Sequence, residues 1–110
     1  MVERLKKLQA FLEESPNDPF LIYAITLEHL KLGNAGEARK GFERLVAEHP
    51  GFVATYYHYA KFLEESDEKD KAVVFYKKGM ETAKQAKDNH SFRELQNALQ
   101  NLLMDEDYGD

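Results

Sequence analysis

Shifted by thirty-four residues, the 110-residue chain falls on itself without a gap: Pro16 lands on Pro50, Ile22 on Tyr56, Ile25 on Tyr59, Ala38 on Ala72 and Phe42 on Tyr76. A fixed period of this length marks a repeat architecture, in which each unit is one supersecondary element that cannot cover its own apolar face. The units are helical. Apolar residues recur at spacings of three and four in six stretches. These are Leu5-Leu8-Phe11-Leu12, Ile22-Ile25-His29-Leu32, Ala38-Phe42-Leu45-Val46, Tyr56-Tyr59-Ala60-Leu63, Ala72-Phe75-Tyr76-Met80 and Phe92-Leu95-Leu99-Leu102. Breaks rich in Pro, Gly, Ser, Asn or Asp separate them at 15–19, 33–36, 49–51, 66–70 and 87–91. No strand-like alternation is present, and short breaks make consecutive helices antiparallel. The expected fold is therefore all-α, with six helices in stacked hairpins.

At these residues the chain resembles the tetratricopeptide repeat family, whose units read W-x2-L-G-x2-Y, then A-x3-F, then P. Residues 19–52 read Ile22-x2-Ile25-Thr26-x2-His29, then Gly33, Ala38-x3-Phe42 and Pro50; residues 53–86 read Tyr56-x2-Tyr59-Ala60-x2-Leu63, then Ala72-x3-Tyr76, with Lys84 in place of the proline. Thr26 and His29 depart from the family's small residue and tyrosine. Residues 2–18 look like the second helix of a unit lacking its first, and 90–104 like a first helix that caps the array after a two-residue insertion, with Gln96, Asn97, Gln100 and Asn101 as its polar outer face. The resemblance implies one repeat domain over 1–104, wound as a right-handed solenoid, and a small, free-standing, bacterial-type protein. Its repeat core would be Ile22, Ile25, Ala38, Phe42, Tyr56, Tyr59, Ala60, Ala72 and Tyr76. Ala38 and Ala72 would lie where the helices of a hairpin approach closely. Phe42 and Tyr76 would fill the gap between hairpins, each aromatic removing ~150–250 Å² from water.

In this family the first helix of each unit lines a concave groove. The matching positions are Phe20, Tyr23, Ala24, Leu27, Leu30 and Lys31, then Ala54, Tyr57, His58, Lys61, Glu64 and Glu65, and in the last helix His90, Arg93, Glu94, Asn97, Gln100 and Asn101. Of these, Tyr23, Leu27, Leu30, Tyr57, His58, Lys61, Arg93 and Asn97 form the expected partner-binding groove. Its part-apolar, part-polar lining suits an extended peptide or a partner's helix. The competing expectation is that the helix carrying Leu5 to Leu12 folds over Leu27 and Leu30. Some family members clamp a peptide's terminal carboxylate with lysine, asparagine and arginine; here those positions hold Tyr23, Leu27, His58, His90 and Glu94, so that clamp is not expected.

Composition narrows the function further. Twenty Asp and Glu against fifteen Lys and Arg give a net charge of -5, but four of the acids lie in the last six residues, 105–110, leaving sixteen acids against fifteen bases elsewhere. That segment reads as an acidic, mobile tail. Neither part carries the basic stripe that a phosphate backbone requires, so nucleic acid is not an expected partner. No apolar run reaches the ~18 residues of a membrane span. Absence of cysteine excludes disulfides and thiolate chemistry and agrees with a cytoplasmic location. His29, His49, His58 and His90 lack metal-ligand spacing. Lys69 and Lys71 spoil the acidic run at 64–70 as a calcium loop. No cofactor, metal or catalytic residue is expected: Ser15, Ser66 and Ser91 sit at helix ends, where capping accounts for them. The expected function is a non-catalytic scaffold that binds a protein or peptide. The alternative is a structural protein whose exposed first-helix flank docks on a second copy as a homodimer.

Overall fold

The computed structural model describes residues 2–105, and among them the chain is six α-helices with no strand. They are α1 (Val2–Glu14), α2 (Pro19–Lys31), α3 (Ala35–Glu48), α4 (Ala54–Glu65), α5 (Lys69–Gln85) and α6 (Asn89–Leu103). The chain divides into two compact units, Met1–Phe52 and Val53–Asp110. The segment 106–110, most of the expected mobile tail, lies outside the described residues. Asp105 is described, and its carboxylate lies 3.6 Å from Lys69 Nζ.

In the first unit α2 packs against both α1 and α3. Its sequence explains this: PFLIYAITLEHLK is apolar nearly all round, as a helix covered on two sides should be. Asp18 starts α2 by accepting from Phe20 N–H at 2.9 Å, and Pro19 follows at the first helical position, where its missing N–H is harmless. Gly33 ends it. At φ +81° this residue lets Asn34 N–H reach His29 O (2.8 Å) and Gly33 N–H reach Leu30 O (3.1 Å), the bond pair that closes a helix over a left-handed residue. Arg44 Nη2 on α3 donates to Pro16 O at 2.6 Å and ties the α1–α2 loop down.

The second unit repeats this turn thirty-four residues on, without glycine. Asp67 holds φ +61° while Glu68 N–H bonds Leu63 O (2.8 Å); at the next loop Lys87 holds φ +59° while Asp88 N–H bonds Ala83 O (2.8 Å). Asp88 then caps α6, accepting from Ser91 N–H (3.0 Å) and from Ser91 Oγ (2.7 Å). These two donors hold its carboxyl below the usual carboxylate range. Within the unit α5 packs on α4 and α6, and α4 also touches α6.

Ile22, Ala38, Phe42, Tyr56, Tyr59, Ala60, Ala72 and Tyr76 are buried. Ile25 differs: it is half-buried, at the rim of a shallow depression shared with Leu12, His29, Gly41 and Arg44. Gly41 has no side chain with which to cover it.

The tightest crossings fall on glycines. In the first unit a methyl group on Gly41 would strike the Thr26 hydroxyl. Thr26, the departure from a small residue, is accommodated because the small residue stands on the facing helix instead. Thirty-four residues later the arrangement is exchanged, with Ala60 on the first helix and Phe75 on the second, where Phe75 packs against Tyr59 at 4.6 Å between ring centroids. In the second unit a methyl on Gly79 of α5 would lie 2.5 Å from Tyr56 Cβ on α4 and 3.0 Å from Leu95 Cδ1 on α6. Three helices meet there.

Candidate interaction surfaces

In the first unit α1 borders one face of α2 and leaves a groove beside it. Arg4, Phe20, Tyr23, Ala24, Leu27, Glu28 and Lys31 line this groove. Five of the six positions carried over from the repeat pattern, Phe20, Tyr23, Ala24, Leu27 and Lys31, are thus brought together; Leu30 is half-buried on α2 but is not part of the lining. Phe20 is 64% exposed, and Tyr23 and Leu27 are half-buried. Tyr23 is held by an edge-on contact with Phe52, with centroids 5.5 Å apart. The first helix therefore edges the groove rather than sealing it.

Glu28 is the residue that sequence reasoning missed. Its side chain is only 7% exposed, and Arg4 Nε, on a side chain 66% exposed, lies 3.2 Å from its carboxylate. A buried carboxylate needs such a partner, because leaving water unpaired is costly. The pair fixes α1 against α2 and leaves part of the Arg4 guanidinium at the groove edge. No sequence signal marked it: a glutamate in an amphipathic pattern reads as solvated.

In the second unit the expected residues lie on α4 and α6. Tyr57, His58 and Lys61 are half-buried on α4. The Tyr57 and His58 rings meet edge-on at 5.6 Å, and Lys61 Nζ stands 5.9 Å from the Tyr57 ring centroid and 4.0 Å from Glu64 Oε2. The other Glu64 oxygen accepts from Tyr76 OH at 2.8 Å, so one carboxylate links α5 to the face of α4. Burial, reinforced by that hydrogen bond and charge, pushes the Tyr76 hydroxyl far above its ordinary value. Burial also raises Tyr56, against a hydrogen bond with Thr82 that acts the other way. His58 is lowered by burial, partly opposed by the negative charge of Glu94. Glu94 also lies 3.8 Å from His90 Nε2. Arg93 and Asn97 are exposed on α6.

Among the described residues no group of three or more His, Asp or Glu side chains is placed to hold a metal ion, and no helix is long and apolar enough to cross a membrane.

No protein-family model and no curated protein matches the chain. Solved structures do. A solution structure of a tetratricopeptide repeat domain protein from Salinibacter ruber is 38% identical, with a TM-score of 0.79 over 86% of this chain and 97% of that one. A crystal structure of a tetratricopeptide repeat domain protein from the same organism is 41% identical, with a TM-score of 0.75 over 77% of this chain and 94% of that one. A Bordetella parapertussis protein shares the fold at 16% identity, with a TM-score of 0.76 over 96% of each chain. With the thirty-four-residue period, the six helices and identity of this extent over most of its length, the chain belongs to the tetratricopeptide repeat family.

Proposed function

We infer that this protein is a non-catalytic interaction module whose units each present a first-helix face to an extended peptide or a partner's helix, with Tyr23 and Leu27 on α2 in the first unit, and Tyr57, His58, Lys61, Arg93 and Asn97 on α4 and α6 in the second. The carrying observation is the groove between α1 and α2. Its lining holds an exposed aromatic, Phe20, two half-buried apolar side chains, Tyr23 and Leu27, the exposed Lys31, and Arg4 in its ion pair with Glu28. An apolar floor with polar edges binds a side-chain row of an extended or helical segment. Among the groups with shifted proton affinity His58 lies on the proposed face of α4, and the others serve the fold. Tyr56 and Tyr76 are hydrogen-bonded in helix packing, and Asp88 caps α6.

The test is selection of peptides from a random display library on the immobilised protein, followed by titration calorimetry. Tyr23→Ala and Leu27→Ala should each weaken a selected peptide by tenfold or more while the far-ultraviolet circular dichroism is unchanged, as for anchor residues at the centre of an interface. Selected peptides that bind both variants as tightly as the parent would refute the groove.

A further inference from the structure

The half-unit helix α1 buries one side and displays the other. Leu5 is buried, Leu8 and Leu12 are half-buried, and α2 is the helix they pack on. On the opposite side Phe11 is 57% exposed and Lys7 and Glu14 are exposed. At 100° per residue, Lys7, Phe11 and Glu14 lie within about 60° of one another on the helix, one row running along its outer face. Glu3, Arg4, Lys7, Leu8 and Phe11 line a shallow depression on that side. The row therefore reads cation, aromatic, anion over two helical turns.

Such an order is its own complement when reversed. We propose that this face of α1 docks on the same face of a second copy, the two helices antiparallel about a two-fold axis passing beside Phe11. Each Lys7 then meets Glu14 of the other copy, twice per dimer, and the two Phe11 rings share the centre. A two-fold contact uses one patch on both molecules, which is what a self-complementary row provides. Charge order is what favours this occupant over an unrelated peptide. On this row the cation, Lys7, precedes the anion, Glu14, by seven residues, so antiparallel pairing about the Phe11 position sets the two opposite each other in both halves of the contact. In this register residues 7–14 of each helix overlap, about 12 Å, so the buried area falls in the small class of weak, reversible contacts, and the dimer should form at high micromolar protein. This face shares Arg4 with the edge of the peptide groove on α2, but Lys7, Phe11 and Glu14 do not line that groove, so variants at these three positions test the dimer alone.

Sedimentation equilibrium of the full chain up to about 1 mM, at low and high salt, tests it. The parent's average mass should rise from 12.7 kDa and level at twice that value, with less association at high salt. Phe11→Ser, Lys7→Glu and Glu14→Lys alter exposed side chains, so helicity should persist while each weakens self-association at least tenfold. Mixing Lys7→Glu with Glu14→Lys in equal amounts should restore the dimer, because each swapped charge then meets its opposite. A parent that stays monomeric to 1 mM, masses growing past the dimer without a plateau, single variants that associate like the parent, or a mixture that stays monomeric would each overturn the proposal.

Discussion

Gly79→Ala tests the three-helix crossing of the second unit most directly. The added methyl would lie 2.5 Å from Tyr56 Cβ and 3.0 and 3.1 Å from the two terminal carbons of Leu95. Carbon atoms prefer about 3.5–4.0 Å. Leu95 can rotate its terminal carbons away, but Tyr56 Cβ is fixed to the backbone of α4. Relief therefore requires α4 and α5 to part by about 1 Å, which loosens a contact carrying Tyr59, Leu63, Ala72, Tyr76 and Ala83, all buried. Overpacking of this kind costs about 1–3 kcal/mol, and a backbone-anchored clash belongs in the upper half of that range. Alanine in a helix interior recovers about 1 kcal/mol over glycine. The net is a loss of about 1–2 kcal/mol, or about 5–15 °C in melting temperature for a domain of this size. Gly36→Ala is the matched control: this glycine lies in α3 with nothing within 4 Å of the new methyl, so the same chemistry should stabilise by about 0.5 kcal/mol. Both are read by thermal and urea unfolding followed at 222 nm. A Gly79→Ala protein as stable as its parent would refute the crossing geometry.

Three other perturbations have determined signs. Gly41→Ala alone should destabilise by about 1–2 kcal/mol, because the methyl meets Thr26. Combined with Thr26→Ala, the pair should be more stable than the sum of the two single changes by about 1 kcal/mol, and strict additivity in urea unfolding would count against the contact. Lys87→Gly should stabilise by about 0.5–1 kcal/mol, read as a higher urea midpoint, since a lysine at φ +59° is held in backbone that glycine adopts without strain; an unchanged or lower midpoint would show the turn to be relaxed with lysine. His58 has a folded-state value below its ordinary 6.5, so the unfolded chain binds its proton first. The stability that a neutral His58 contributes is complete above about pH 6.5 and falls as the pH drops through that value. The parent should therefore lose more stability than His58→Gln between pH 7.5 and 5.5, and equal slopes would refute the burial of the neutral ring.

The helices and most of their core were legible because the requirement behind them is periodic. An apolar residue every third or fourth position is needed wherever two helices meet, and recurrence after thirty-four residues gives two readings of the same packing problem. Ala38 with Ala72, and Phe42 with Tyr76, are buried in both units for this reason. What escaped is aperiodic. Lys87 takes left-handed backbone off the thirty-four-residue period and with a side chain that does not announce it, whereas Asp67 holds the same backbone one period after Gly33. The groove lining on α2 was foreshadowed by the family's pattern, but Glu28 was not. Its burial depends on Arg4, twenty-four residues earlier and on another helix, and no pattern read along one helix contains that pairing.

Thr26 shows where position-by-position reading fails. Taken alone it breaks the repeat pattern, since a branched hydroxyl residue stands where a small one belongs. Taken with its partner it keeps the pattern's physical content, which is that one side of a close crossing must be small. Gly41 supplies the small side in the first unit and Ala60 in the second, on opposite helices. Tyr56 against Gly79 obeys the same rule one turn of α5 further on. The constraint therefore acts on pairs across a crossing and not on single positions. Residues facing away from any crossing, such as Phe11, Phe20 and Lys31, escape it altogether. Those outward residues are the ones free to be set by what the molecule meets, which is why the interaction surfaces are sought on them and not on the repeat core.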